Sequence, residues 1–189
     1  MPGSRPAVRG GPALFQQKEK WMHQQAMPPA PPWQVSQWFN TDAPIGLDSL
    51  RGKVVVVEAF QMLCPGCVAH GLPQAARVRA AFPEDRVAVI GLHTVFEHHE
   101  AMTPVALEAF LHEYRIGFPV GVDMPSGDGP IPRTMRAYAM QGTPTLVLID
   151  AAGRLRGQQF GQVGDISLGA RIAGLLAEAE RGGNDSIAD

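Results

Sequence analysis

The two cysteines of this 189-residue chain stand close together, in Cys64-Pro65-Gly66-Cys67. A bridge that short closes almost no loop and stabilises little as a staple, so the pair is expected to do chemistry or to bind metal. The stretch before Cys64 is apolar and β-branched, and the stretch after it holds helix formers. Cys64 is therefore expected between a buried strand and the first turn of a helix. Pro65 suits that turn, because its missing N–H would be unpaired there anyway. Backbone N–H groups and the positive end of the helix dipole then face the sulfur. Both favour the thiolate, the nucleophile of disulfide exchange. Cys64 is the expected attacking residue. Cys67, nearly a turn further in, is the expected resolving residue that releases a mixed disulfide. Pro65 and Gly66 carry no side-chain donor, so the backbone should dominate the surroundings of the thiolate.

Glu58 interrupts the apolar run six positions before Cys64. A buried acid is costly unless it stays neutral or has a task. Beneath a dithiol the task would be proton exchange with Cys67, helped by a pKa raised through desolvation. The structural alternative is a partly exposed acid at a strand end. Gly142-Thr143-Pro144 directly precedes another apolar run, where a cis X–Pro bond would make a tight entry. A metal-binding alternative joins Cys64 and Cys67 to His93 and to His98 or His99, imitating a zinc or copper site across a long spacer. His98-His99, between Glu97 and Glu100, read better as a solvated loop, and His70 as a helix-face residue. A tuning role for His70 or His93 is left open.

These groups need elements to hold them. Residues 54–60 and 87–92 have the continuous apolar pattern of strands buried on both faces. Residues 64–82 read as a helix kinked at Pro73. Thr103-Pro104 starts a second helix, with Leu107, Phe110, Leu111 and Tyr114 on one face. Shorter expectations are a strand over 118–122, a helix over 131–141, and strands over 145–149 and 155–160 joined by the turn Asp150-Ala151-Ala152-Gly153. Asp165 is placed to cap a last helix that carries Leu168, Ile172, Leu175 and Leu176. The order predicts an α/β domain with a central mixed β-sheet flanked by helices. That domain is assigned to residues 40–182, after an N-terminal extension over 1–39 and before a flexible tail over 183–189. The extension comprises a disordered start, a short helix over 13–26, and a stiff linker through Met27-Pro28-Pro29-Ala30-Pro31-Pro32. Trp33, Val35, Trp38 and Phe39 would lay it against an edge of the core, or else form a partner or dimer surface.

Sixteen Lys and Arg against eighteen Asp and Glu leave a formal charge of −2, which is no electrostatic footprint for nucleic acid. No apolar run approaches the ~20 residues of a bilayer span. The first twenty residues lack the apolar stretch of a secretory signal. Cytoplasm is the expected compartment, or the periplasm if a signal has been trimmed.

Taken together, the residues resemble the thioredoxin superfamily, and within it the TlpA-like redoxins. The match rests on Gly52-Lys53 before the first strand, Glu58, Cys64-Pro65-Gly66-Cys67, Thr143-Pro144-Thr145, and Ile149-Asp150 before Gly153. Val89-Ile90-Gly91-Leu92-His93-Thr94 is similar to the redoxin-like domains of DipZ-type proteins. The resemblance covers roughly residues 40–180. It implies a thioredoxin-like fold, a cis Thr143–Pro144 peptide beside the dithiol, and an extended partner chain hydrogen-bonded to the backbone of Thr143. Pro65, Gly66, Thr143 and Pro144 would then form the substrate-binding surface. It further implies a thiol–disulfide oxidoreductase with no cofactor beyond its own Cys64–Cys67 disulfide. Partners would be protein thiols and disulfides, with an upstream thioredoxin-type reductant and no metal. Three positions depart from the pattern. Leu63 replaces the Trp that many thioredoxins carry before the first cysteine, His70 stands where TlpA-like proteins often have Glu, and Pro73 falls six residues after Cys67 instead of five. A peroxiredoxin-like peroxidase is less favoured, because Phe60-Gln61-Met62-Leu63 lacks the Pro and Thr/Ser that precede a peroxidatic cysteine. Oligomeric state and the direction of electron flow are not readable at this level.

Overall fold

The computed structural model describes residues 27–185; the disorder and helix expected before residue 27 lie outside the described residues. Six strands form one mixed sheet in the order β1-β4-β3-β2-β5-β6. In chain order they are β1 (Val35–Phe39), β2 (Val54–Phe60), β3 (Val87–His93), β4 (Val120–Asp123), β5 (Thr145–Ile149) and β6 (Leu155–Phe160). Strands β2, β3 and β4 run parallel, while β1, β5 and β6 each pair antiparallel with their neighbours.

Every residue of β2 is buried, which a strand can satisfy only when both faces of the sheet are covered. Its side chains alternate accordingly. Val54, Val56 and Phe60 enter a core shared with α1 (Leu72–Ala81), α2 (Pro104–Glu113) and α4 (Asp165–Asp185). Val55, Val57 and Ala59 enter a second core with Met135 and Tyr138, on and just after α3 (Arg133–Ala137). Burying one such aliphatic side chain stabilises the fold by about 1.5–3 kcal/mol.

A five-residue α3 is too short to cover its face alone. The N-terminal segment completes the cover: Ala30 is buried in this second core, with Trp33, Val35 and Trp38 packed against it. Polar ties hold it there, from Trp33 Nε1 to the Ile45 carbonyl (2.6 Å) and from the Tyr138 hydroxyl to the Pro31 carbonyl (2.7 Å). Residues 35–39, assigned from sequence to the extension, add the edge strand β1 to the sheet. At the other end α4 continues to Asp185, beyond residue 182.

Three local expectations shift. The strand expected from Phe118 begins at Val120, because Pro119 has no N–H for a ladder and Phe118 turns into the core. The helix expected over 131–141 shrinks to Arg133–Ala137, and Ala139 follows in a left-handed conformation (φ 49°). Asp165 does not cap α4. It is the first residue of the helix, and its carboxylate instead accepts from Gln74 and pairs with Arg77 across to α1.

Asp123, which the sequence reading did not single out, caps α3 from a distance. Its buried carboxylate accepts from the N–H groups of Thr134 (2.8 Å) and Met135 (2.9 Å) and from the Thr94 hydroxyl (3.0 Å). Asp123→Ala strands these donors in the interior and should cost about 3 kcal/mol, with Asp123→Asn costing less. Urea unfolding of the three proteins measures this, and a loss below about 1 kcal/mol for the alanine variant would contradict the capping role.

Candidate functional site

Strand β2 ends at Phe60, and a turn held by the Cys64 N–H to the Gln61 carbonyl (3.2 Å) brings Cys64 to the start of the helical segment. Gln61 is itself buried, and its Oε1 accepts from the Phe96 N–H (3.2 Å) of the loop after β3. Cys64 and Cys67 form a disulfide, with Cα atoms 5.2 Å apart. The two sulfurs sit in unequal surroundings. Cys67 is fully buried in the core, whereas Cys64 is partly exposed and follows Leu63, whose side chain is 58% exposed. The Cys67 N–H points at Cys64 Sγ from 3.2 Å. That contact is of the kind that favours a thiolate at the outer sulfur when the bridge is open.

The peptide between Thr143 and Pro144 is cis. It presents the Thr143 carbonyl oxygen 3.5 Å from Cys64 Sγ, a distance at which a reduced Cys64 thiol could donate. Among the described residues, no backbone hydrogen bond engages the Thr143 N–H. Gly66 lets the two segments approach: a Cβ there would meet Pro144 Cδ at 3.3 Å. Phe160, 54% exposed, covers Gly142 so closely that a Cβ on that glycine would fall 2.9 Å from the ring.

Beyond Cys67 the helix is not regular. Residues Cys67–Gly71 form a π-turn, in which the Leu72 N–H reaches back five residues to the Cys67 carbonyl. Pro73 explains this locally, since it offers no N–H and its ring crowds the preceding turn. The extra residue between Cys67 and Pro73 is taken up by the π-turn, so that Leu72, Ala75 and Val78 still fall on the buried face. The same turn lays Gly71 directly over Glu58. A Cβ on Gly71 would overlap Glu58 Oε1 and crowd Pro144 at 3.2 Å. Gly71 was missed from sequence; a glycine inside a helix, where it costs up to ~1 kcal/mol against alanine, was the available signal.

Glu58 is 2% exposed, and among the described residues its Oε1 has no hydrogen-bond partner. Desolvation lifts its pKa from 4.5 to about 8, so the carboxyl is mostly neutral at pH 7 in the disulfide form. It forms part of the wall of a cleft of about 400 Å³, between the helix and the loop that follows β6. His70 lines that cleft from an exposed position. His93 lies on the same side of the sheet as Phe60, its ring 5.3 Å from the Phe60 ring, with both nitrogens unpartnered among the described residues. Burial lowers its pKa from 6.5 to about 4 and keeps it neutral. His98 and His99 are exposed, and no group of three or more potential metal ligands of the His/Cys/Asp/Glu type comes together among the described residues. The dithiol, Glu58 and Thr143–Pro144 are brought together; the histidines of the metal alternative do not complete a site with the sulfurs.

The two buried groups give stability opposite pH dependences. Glu58 holds its proton more tightly when folded, so its contribution is full below pH 4.5 and is lost as pH rises through about 8. His93 refuses a proton when folded, so its contribution is full above pH 6.5 and is lost as pH falls through about 4. The opposing slopes offset between pH 4.5 and 6.5, giving a plateau with losses on either side. Denaturant unfolding of the oxidised protein from pH 4 to 8.5 should show this. Glu58→Gln should flatten the alkaline limb between pH 6.5 and about 8, a change of about 2 kcal/mol; an unaltered alkaline limb would refute the assignment.

Comparison with known proteins places this geometry. The AhpC/TSA family model matches residues 28–158. A solved thioredoxin-like superfamily protein superposes with a TM-score of 0.78 at 68% identity, over 80% of this chain and 97% of the other. A thiol-disulfide isomerase from Corynebacterium glutamicum follows with a TM-score of 0.74 and 52% identity, over 78% and 96%. Protein DipZ of Mycobacterium tuberculosis is 30% identical over 151 residues, which are 78% of this chain and 20% of DipZ. The chain thus spans about a fifth of the curated relative it matches. The fold is thioredoxin-like, and the chain belongs to the AhpC/TSA family of redoxin-domain proteins.

Proposed function

We propose that this chain is a thiol–disulfide oxidoreductase that cycles Cys64 and Cys67 between dithiol and disulfide and reduces disulfides in protein partners. The observation that carries the reading is the asymmetry of the pair. One sulfur is reachable beside a cis-proline peptide, and the other is sealed in the core on the face that also carries Glu58. The resemblance to an isomerase at 52% identity supports the same chemistry.

In the forward cycle the Cys64 thiolate attacks a partner disulfide, forming a mixed disulfide and releasing one partner sulfur as thiolate. The Thr143 N–H holds an extended partner segment as an added strand would be held. Exposed Pro65 and the backbone of Gly66 complete the contact surface with Pro144. Glu58, as carboxylate, takes the proton of Cys67. The Cys67 thiolate then attacks Cys64 Sγ, the second partner sulfur leaves, and the internal disulfide closes. The neutral Glu58 of the disulfide form is the state that has received this proton. An upstream thioredoxin-type dithiol reopens the bridge, and Glu58 returns the proton to Cys67. No cofactor enters either half of the cycle.

Cys67→Ser should trap the partner adduct on non-reducing gels, and Cys64→Ser should abolish it. Equal adduct yield from the two variants would reverse or sink the assignment. Glu58→Gln should slow closure of the bridge by about 10²-fold while leaving adduct formation nearly unchanged. A reductant further requires a potential below about −220 mV in a glutathione titration, in the range of glutaredoxins and thioredoxin. A value near −120 mV would make the chain an oxidant instead.

A further inference from the structure

The cleft beside Glu58 has no part in the steps above, yet Glu58 forms part of its wall. It is lined by the first turns of the helix, by Pro144 and Leu146 of the β5 segment, and by residues 161–166. Neither cysteine lines it, nor does Pro65 or Thr143. Pro144 separates the two regions. Its Cδ packs on Gly66 beside the dithiol, and its Cβ packs on Gly71 beside Glu58 and the cleft. With a volume of about 400 Å³ the cleft has room for roughly a dozen waters.

The cleft is also spanned by polar contacts. Gln74, buried on α1, donates from Nε2 to the Val163 carbonyl (2.8 Å) and to Asp165 (2.6 Å), and Arg77 pairs with Asp165 at 3.1 Å. These contacts tie the 161–166 loop to the helix across the cleft that Glu58 also lines. The charged and titratable groups facing the cleft are His70 and Arg77 from the helix and Asp165 from α4, while its β5 and loop walls carry none.

We propose that Glu58 exchanges its proton with solvent through this cleft and not past the sulfurs, so that the acid follows bulk pH even while a partner protein covers Cys64. The proposal rests on the reading of Glu58 as proton acceptor for Cys67. Protons balance over the cycle: Cys67 gives its proton to the Glu58 carboxylate, the carboxylic acid exchanges it with cleft water while the partner thiolate takes one from solvent, and the proton that Glu58 hands back to Cys67 on reduction is drawn from the same water. Gln74 is a positioning residue here, acting through the loop it holds.

A double-mixing experiment separates this route from exit beside the dithiol. The mixed disulfide with a model protein disulfide is accumulated at pH 6, where Glu58 is protonated and closure is slow, and is then jumped to pH 8.5. The wild type should close at once at the rate seen when the adduct is made at pH 8.5. Gly164→Trp, which fills the cleft from an exposed loop position with no atom within 4 Å of a new Cβ, should close at least about tenfold more slowly after the jump. That loss is set against the roughly 10²–10⁴ that a positioned base supplies. Ile166→Trp, at a 91% exposed site on the same rim, gives the second blocked variant should the first fold poorly. Gly129→Trp, outside the cleft, should behave as wild type. Wild-type jump kinetics in both cleft variants would overturn the route while leaving the role of Glu58 intact. If Glu58→Gln shows the same pH dependence of closure as wild type, the proton-acceptor reading falls, and the route falls with it.

Discussion

Burial of the Glu58 carboxyl in a strand covered on both faces constrains everything built around it. A strand of seven buried residues gains its stability from apolar contact, and a carboxyl within it can be tolerated only as a neutral acid or beside a compensating partner. Among the described residues Oε1 has no hydrogen-bond partner, so the cost appears as a raised pKa. That places the acid near neutrality, where it can change protonation state in either direction during a redox cycle. The residues over it are small or lack donors for the same reason. Gly71 admits the carboxyl without a Cβ, and Pro144 closes the site from the side.

The π-turn after the disulfide connects this constraint to the sulfurs. A regular helix through Pro73 would have to accommodate both a missing N–H and a ring against the preceding turn. Widening one turn over Cys67–Gly71 relieves both and leaves the apolar positions of α1 facing the core. It also decides which residue meets Glu58. The irregularity is thus part of the site, and it explains how a proline displaced by one position relative to TlpA-like sequences coexists with the rest of the motif.

The second face of the sheet shows a different economy. Among the described residues its one α-helix is five residues long, with its N-terminus held down by Asp123. The segment from Pro28 to Leu50 supplies the missing cover through Ala30, Trp33, Val35, Trp38, Ile45, Leu47 and Leu50. Among the described residues, one face therefore carries the redox helix and two others, while the opposite face is closed by α3, the edge strand β1, a single 3-10 turn at Leu47–Leu50 and the chain between them.

Much of this was legible in the residues themselves. Two cysteines in a CxxC after a β-branched run, an acid inside that run, and Thr-Pro before another strand pointed to the fold class and to the candidate site residues, because periodicity and local turn chemistry are short-range properties. The resemblance supplied the cis peptide, which local sequence permits but does not require. Shorter elements were less legible. Pro119 and the left-handed Ala139 cut two of them back, and Asp165, a good local cap, found partners across the fold instead. Only the tertiary structure decided that Gly71 lies on Glu58, that Gln74 and Asp165 bond across a cleft that this acid lines, and that among the described residues the histidines form no group of three or more ligands with the sulfurs. These are contacts between residues distant in sequence or set by an irregular turn, and their geometry follows from packing rather than from any local pattern. The dithiol was written in four consecutive residues; the surroundings that tell its two sulfurs apart were written only in the fold.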